Sequence, residues 1–122
     1  MKFYICKRCG NIVAAVKESG APISCCGQNM VELEAGTTDA AVEKHVPVVE
    51  VKDGIVTVTV GSVAHSMAPE HYIEWIAMAT DEGNQKVDLR PGDEAKATFE
   101  YVKGAKLYAY CNKHGLWTTD VE

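Results

Sequence analysis

The cysteines and histidines of this chain are divided between its two halves, and this division constrains the fold more than any other feature. Four of the five cysteines lie within residues 1–36, whereas the fifth cysteine and all four histidines lie after residue 44. A segment as short as the first half cannot bury enough apolar surface to fold unaided, so it requires a crosslink such as a metal ion. The odd number of cysteines argues against a closed disulfide framework and favours metal-bound thiolates in a reducing compartment.

The 122 residues suffice for one ordinary domain or two small ones. We predict a four-cysteine metal domain over residues 1–37 and a β domain over residues 38–122. The segment Gly36-Thr37-Thr38-Asp39 is predicted to link them. Asp39 is predicted to cap one short helical turn through Ala40, Ala41 and Val42.

Strand patterns follow residue 46. The β-branched runs Val48–Lys52 and Ile55–Val60 are joined by Asp53-Gly54, which is a strong hairpin signal. Further strands are predicted over 72–79, 97–103 and 105–110, with a turn at Leu89–Asp93. Short strands separated by turns about ten residues apart predict a mainly β fold, a small antiparallel sandwich.

Charge and hydropathy exclude several classes of protein. Lys and Arg number 12 against 17 Asp and Glu, a formal net charge of -5, so we expect no nucleic-acid partner. No apolar run of about 18 residues is present, and the N-terminus has no apolar signal segment. We therefore expect no membrane association and a cytoplasmic location.

Cys6, Cys9, Cys25 and Cys26 form the first predicted metal site, called centre I below. Cys6-x-x-Cys9 places two thiolates on one turn, and the second pair completes a tetrahedron. Because Cys25 and Cys26 are adjacent, they can bind one ion only if the backbone between them is bent. The residues alone leave iron, structural zinc and disulfides as alternatives, and the spacing favours iron.

Centre II consists of His45, His65, His71, Cys111 and His114. Any one of these histidines alone is more simply a surface or hydrogen-bonded residue. Taken together they are five donors in one half of the chain. Zinc prefers four ligands, whereas five imidazole and thiolate donors suit iron with an open sixth position.

The sequence motifs resemble those of the desulfoferrodoxin family, the two-iron superoxide reductases, over essentially the whole chain. They are the four cysteines of centre I, Glu43-Lys44-His45-Val46-Pro47, Gly61-Ser62-Val63-Ala64-His65, His71-Tyr72-Ile73-Glu74-Trp75 and Cys111-Asn112-Lys113-His114-Gly115-Leu116-Trp117. The resemblance implies a desulforedoxin- or rubredoxin-like N-terminal iron domain, an immunoglobulin-like sandwich and a homodimer. It also implies two irons per chain, with the four histidines equatorial and Cys111 axial at the second.

The resemblance further implies the one-electron reduction of superoxide to hydrogen peroxide by a non-haem ferrous centre, without release of O2. In this family Lys44 is the candidate for attracting the anionic substrate, and Glu43 is the carboxylate that closes the sixth position in the resting state. A rubredoxin-like protein is the usual electron donor. Whether centre I relays electrons or only crosslinks its domain stays open.

Two alternatives are a non-catalytic iron electron carrier and a zinc-binding interaction module. The first leaves the five donors of centre II unexplained, and the second predicts a colourless protein. Tyr72, Trp75 and Trp117 are interpreted as packing residues near the site.

Overall fold

The computed structural model describes residues 1–36 and 42–122, so the predicted Asp39 cap lies outside the described residues. The elements of these ranges are β1 (Phe3–Ile5), β2 (Ile12–Ala14), β3 (Ser24–Cys25), β4 (Gln28–Asn29), β5 (Val31–Glu32), α1 (Val42–His45), β6 (Pro47–Lys52), β7 (Ile55–Val60), β8 (Ile73–Thr80), β9 (Gly83–Asp88), β10 (Lys96–Glu100), β11 (Lys106–Cys111) and β12 (Gly115–Asp120). The chain divides into two compact units, Met1–Glu34 and Ala35–Glu122. The described helix is far too short to cross a membrane.

The unit Met1–Glu34 consists of short antiparallel strands. Three of them form a sheet in the order β2-β1-β5, and β3 and β4 form a separate hairpin. The two residues between β3 and β4, Cys26 and Gly27, have φ values of 53° and 75°. Positive φ at both positions is typical of a type I′ hairpin turn. This turn supplies the bend that the adjacent cysteines were predicted to need.

The described part of the unit Ala35–Glu122 is an antiparallel sandwich of seven strands. One sheet has the order β10-β7-β6 and the other the order β12-β11-β8-β9. The buried side chains between the sheets include Val56, Val58, Phe99, Ile76 and Leu107. Each such burial contributes about 1.5–3 kcal/mol to folding. The mainly β, immunoglobulin-like fold predicted for this half is confirmed.

Several predicted strands differ from the observed strands at their ends. Ile55–Val60 has the predicted bounds, and the Asp53-Gly54 hairpin is present, with φ values of 53° and 76°. The strand predicted over 97–103 covers only Lys96–Glu100, and the one over 72–79 begins and ends one residue later. No strand was predicted for β9 or β12. β9 is a polar edge strand, exposed along most of its length, so it lacks the apolar alternation that identifies a half-buried strand.

A β-bulge interrupts the pairing of β8 with β11. Tyr110 lies opposite Trp75, but the next residue, Cys111, lies opposite Ile73, so Glu74 has no partner in this ladder. Because the bulge shifts the alternation by one residue, Ile73 and Ile76 both point into the core. The irregularity lies beside a predicted ligand, Cys111, where bulges commonly reorient side chains.

Candidate metal centres

One end of the sandwich carries all five predicted ligands of centre II. His45 ends α1 just before β6, His65 lies in the loop after β7, and His71 lies two residues before β8. Cys111 is the last residue of β11, and His114 immediately precedes β12. In antiparallel sheets the starts of β6, β8 and β12 lie at the same end as the ends of β7 and β11. The strand order therefore gathers these side chains.

The four imidazole rings of centre II form a closed cycle of edge-to-face contacts. Ring centroids are 4.6 Å apart for His45 and His65, and 4.8 Å apart for His65 and His71. The cycle closes through His114, whose centroid lies 5.0 Å from His71 and 4.8 Å from His45. Donor atoms of these four rings and of Cys111 lie within 4.8 Å of one another. Four nitrogens and one sulfur thus converge on a common point.

The nitrogen spacing fits donors placed at right angles around one ion. His65 Nε2 lies 2.9 Å from His45 Nε2, and His114 Nδ1 lies 3.1 Å from the same atom. Two nitrogens about 2.1 Å from an ion are about 3.0 Å apart at a right angle and about 3.4 Å apart at the tetrahedral angle. The donor set therefore fits the five-ligand iron site of the prediction better than a four-ligand zinc site.

His65 and His71 present neutral imidazole to the shared point. His65 Nδ1 lies 2.7 Å from the carbonyl oxygen of Ser66 and donates to it, which leaves the Nε2 lone pair free for a metal. The Nε2 atom of His71 is buried and has no hydrogen-bond partner among the described residues. Burial lowers the pKa of both rings. A bound metal would satisfy the buried nitrogen of His71, which is otherwise costly to desolvate.

Cys111 is fully buried, and its Sγ lies 3.8 Å from His114 Nδ1. Burial raises the pKa of the Cys111 thiol, while the backbone amides of Lys113 and His114 hydrogen-bond to the sulfur and lower it. A thiolate here needs a cation as partner, so metal binding would displace the thiol proton. The amides are already directed at the sulfur to stabilise its charge.

Two residues outside the predicted ligand set contact the ligands or their loops. Trp117 stacks on His45 and donates from Nε1 to the carbonyl oxygen of His114, over 3.1 Å. Asn112 hydrogen-bonds the main chain on both sides of His71. Both residues lie in the segment 111–117, which carries the family resemblance. Their position in the sequence does not indicate which residues they contact.

Lys44 lies in α1 beside His45 and is exposed, and no ion pair involves it among the side chains that the structure describes. The Glu43 side chain lies outside the described part of the chain. Lys113 is also exposed, although it was not predicted to attract the substrate. Its charge contributes to the lowered pKa of His71, after burial and the charge of His114. The unit Ala35–Glu122 contains eight Lys and Arg against fourteen Asp and Glu. These lysines are thus local cations in an acidic unit.

The four sulfur atoms of centre I are spaced as in a tetrahedral thiolate site. The Cys9 and Cys25 sulfurs are 3.6 Å apart, and the Cys25 and Cys26 sulfurs are 3.9 Å apart. Four sulfurs about 2.3 Å from one ion would be about 3.8 Å apart. All five cysteines are free, so the disulfide alternative is wrong.

Ionisation is uneven among the cysteines of centre I. The amide of Cys9 donates to Cys6 Sγ over 3.5 Å and lowers the pKa of Cys6 to about 6. The neighbouring sulfurs, that of Cys9 first, raise the pKa of Cys25 and of Cys26. Four adjacent thiolates repel one another, so a cation among them is needed for full ionisation. The donor set therefore fits a bound metal ion.

Comparisons with known proteins cover both units. The family model described as desulfoferrodoxin matches residues 37–120, and that of the desulfoferrodoxin N-terminal domain matches residues 1–33. A desulfoferrodoxin homolog of Archaeoglobus fulgidus is 48% identical over 118 residues, covering 96% of this chain and 94% of the relative. The desulfoferrodoxin of Nitratidesulfovibrio vulgaris is 45% identical over 121 residues, covering 98% and 95%. The superoxide reductase from Treponema pallidum superposes with a TM-score of 0.76 at 35% identity, covering 96% and 98%.

Proposed function

Because this chain belongs to the desulfoferrodoxin family, we propose that it is a superoxide reductase with two iron centres. The family predicted from the motifs is confirmed. In the reaction, one superoxide anion takes up one electron and two protons and becomes hydrogen peroxide, and no O2 is formed. Ferrous iron at centre II supplies that electron when it is bound.

The convergence of four imidazole nitrogens and the Cys111 sulfur within 4.8 Å carries this proposal. Five donors leave one position of a six-coordinate ion for a small ligand. An electron carrier needs no free position, and a zinc-binding module needs only four donors. Both alternatives therefore leave the arrangement unexplained.

Residues of the chain have separate roles in this reaction. Lys44 attracts the substrate, because superoxide is an anion and the unit that carries centre II is acidic. The hydrogen bond from His65 to Ser66 keeps one imidazole in its metal-binding tautomer. The Cys111 thiolate, held by two amides, would donate electron density to a bound iron. We expect this donation to weaken the bond between the iron and the product, which would favour release of peroxide over cleavage of its O–O bond provided that protons are delivered to the product. Glu43 would supply a carboxylate to the resting centre after turnover.

The partners follow from the electron count. Each turnover consumes one electron, so the protein needs a donor, and we propose a small rubredoxin-like protein. Cys9 and Cys26 are exposed at the surface of centre I, which supports a relay role for this centre. A crosslinking role is compatible with it, since the unit Met1–Glu34 has few buried side chains.

We further propose that the chain is a homodimer and works in the cytoplasm, with domains over 1–37 and 38–122. Exposed apolar residues on the strand edges of the first unit, Val13 and Val31, support self-association. Five free cysteines support a reducing compartment. Size-exclusion chromatography with light scattering measures the oligomer, and a fusion reporter measures the compartment.

Metal analysis and a superoxide assay on the purified chain test the proposed function. We expect two irons per chain and a visible band that disappears on reduction and returns when superoxide is added. We also expect one peroxide per superoxide and no evolution of O2. Iron in both centres without peroxide formation would leave only an electron carrier. Zinc in both centres after growth with excess iron would favour the interaction module.

A further inference from the structure

Asn112 lies between two ligands of centre II in the chain and makes three hydrogen bonds to a distant segment. Its Oδ1 accepts from the amide of Tyr72 over 3.0 Å, and its Nδ2 donates to the carbonyl oxygen of Glu70 over 3.0 Å. Its own amide donates to the carbonyl oxygen of Tyr72 over 3.3 Å. One residue of the 111–114 turn thus binds the main chain on both sides of His71.

The two peptide groups that flank His71 are fully hydrogen-bonded, from two different directions. The amide and carbonyl of His71 bond to Ala68, over 3.0 Å and 3.1 Å. The remaining two groups, the carbonyl of Glu70 and the amide of Tyr72, bond to the Asn112 side chain. Ala68 belongs to the same loop as His71. Among the hydrogen bonds of the described residues, those of Asn112 alone connect these peptides to the turn that carries Cys111 and His114.

The ring of His71 depends on this main-chain support. His65 is oriented by a hydrogen bond to Ser66, and His45 is stacked on Trp117. For His71, the buried Nε2 has no hydrogen-bond partner among the described residues. The position of that nitrogen before metal binding is therefore set by the backbone of its loop and by the edge-to-face contacts of the ring with His65 and His114.

We propose that Asn112 is a positioning residue of centre II, which holds His71 at the correct distance from Cys111 and His114. The primary amide suits this role because it offers one acceptor and one donor to two successive peptide groups. Loss of partners that orient metal ligands typically lowers metal affinity about 10- to 100-fold. The inference rests on the proposed iron at centre II.

Iron release from the full-length, iron-loaded chain tests this role. Asn112→Ala removes both side-chain bonds, whereas Asn112→Asp keeps the acceptor for Tyr72 and loses the donor to Glu70. With a strong chelator present, we expect Asn112→Ala to release centre II iron about tenfold faster than the parent, and Asn112→Asp at an intermediate rate. The ferric absorption band of centre II should also shift. Centre I, in the same molecule, serves as the internal reference, and Asn84→Ala, in the exposed strand β9, serves as the matched control.

The possible outcomes distinguish a failure of the role of Asn112 from a failure of the proposed function. If the parent chain holds no iron at centre II, the proposed function fails. If the parent holds iron and Asn112→Ala releases it at the parent rate with an unchanged band, only the role of Asn112 is wrong. A lower unfolding temperature without faster release would likewise overturn it, since Asn112 would then stabilise the fold alone. Should the alanine variant not fold, the same comparison with Asn112→Asp decides.

Discussion

The indole of Trp117 stacks on the imidazole of His45, with ring centroids 5.1 Å apart and planes inclined by 23°. The same indole donates a hydrogen bond to the main chain of His114. His45 precedes a strand of the three-stranded sheet, and His114 precedes a strand of the four-stranded sheet. Trp117 therefore connects ligands that come from both sheets of the sandwich.

Two substitutions of Trp117 should distinguish the contribution of its hydrogen bond to stability from that of its buried, stacked ring. Trp117→Phe keeps a stacked ring and loses one hydrogen bond, so we expect it to lower the free energy of unfolding by about 1 kcal/mol. Trp117→Ala loses both contacts and buried area, at a cost of about 3–5 kcal/mol. Denaturant unfolding of the metal-loaded chain measures both values. Equal costs for the two variants would show that the stacking on His45 contributes nothing.

Lys44→Ala should lower the second-order rate with superoxide about tenfold at low salt. The salt dependence of the rate should also become flatter, because the local attraction to the anion is lost. Lys103→Ala is the matched control, since Lys103 lies beyond β10 at the opposite end of the sandwich. Pulse radiolysis at several ionic strengths measures the rates. A parent-like rate for Lys44→Ala at low salt would refute the steering role.

Cys111→Ser should abolish the thiolate absorption band of centre II and leave the band of centre I unchanged. We expect iron at centre II to be released more than about tenfold faster, because a ligand itself is lost rather than a partner that orients one. Superoxide reduction should fall with it. Retention of both the band and full activity would exclude Cys111 as the axial ligand.

Glu43→Ala should preserve superoxide reduction and change the ferric spectrum of centre II. The reason is that its carboxylate is proposed to act only on the resting centre, after peroxide has left. Glu50→Ala, an exposed carboxylate of β6, is the matched control. The ferric spectrum and the rate are measured on the same samples. If Glu43→Ala and the parent have identical ferric spectra, Glu43 is not a ligand of the resting state.

Tyr4 donates a hydrogen bond to Glu18, which raises the pKa of its phenol from 10.0 to about 12. A raised pKa in the folded state means that the bond stabilises the fold at neutral pH, and that this contribution is lost as pH rises from 10 towards 12. In Glu18→Gln we expect the phenol to ionise closer to its ordinary value. Ultraviolet titration of tyrosinate, with Tyr4→Phe subtracted, measures this pKa. The same pKa in Glu18→Gln and the parent would contradict the bond.

The sequence predicts which residues bind the metal better than it predicts which residues hold those ligands in place. Cys111 and His114 are recognisable because metal ligands must be specific residue types at specific spacings. Asn112 is not, since a hydrogen bond to residues 70 and 72 depends on two segments meeting in the fold. The strand β9 was missed for a different reason, because an exposed edge strand needs no apolar face.

The bulge also makes the apolar pattern of β8 differ from that of a regular strand. With the unpaired Glu74 between them, Ile73 and Ile76 share the core face although they are three residues apart. A regular strand would place them on opposite faces. The residue type of Glu74 does not indicate a bulge, because the bulge depends on how β8 pairs with β11.

The bulge at Glu74 makes the length of this strand a functional quantity. Point substitutions at Glu74 leave the number of residues between the core and the ligand loop unchanged. Removal of this one residue would leave Ile73 and Ile76 two residues apart, so a regularly paired strand would keep both on the core face, but the bend that the bulge places before the loop of His71 would be lost. The number of residues at this end of the strand therefore matters to the ligand loop and not to the core, so we expect a variant that lacks Glu74 to keep its sandwich and to change the position of His71 relative to Cys111.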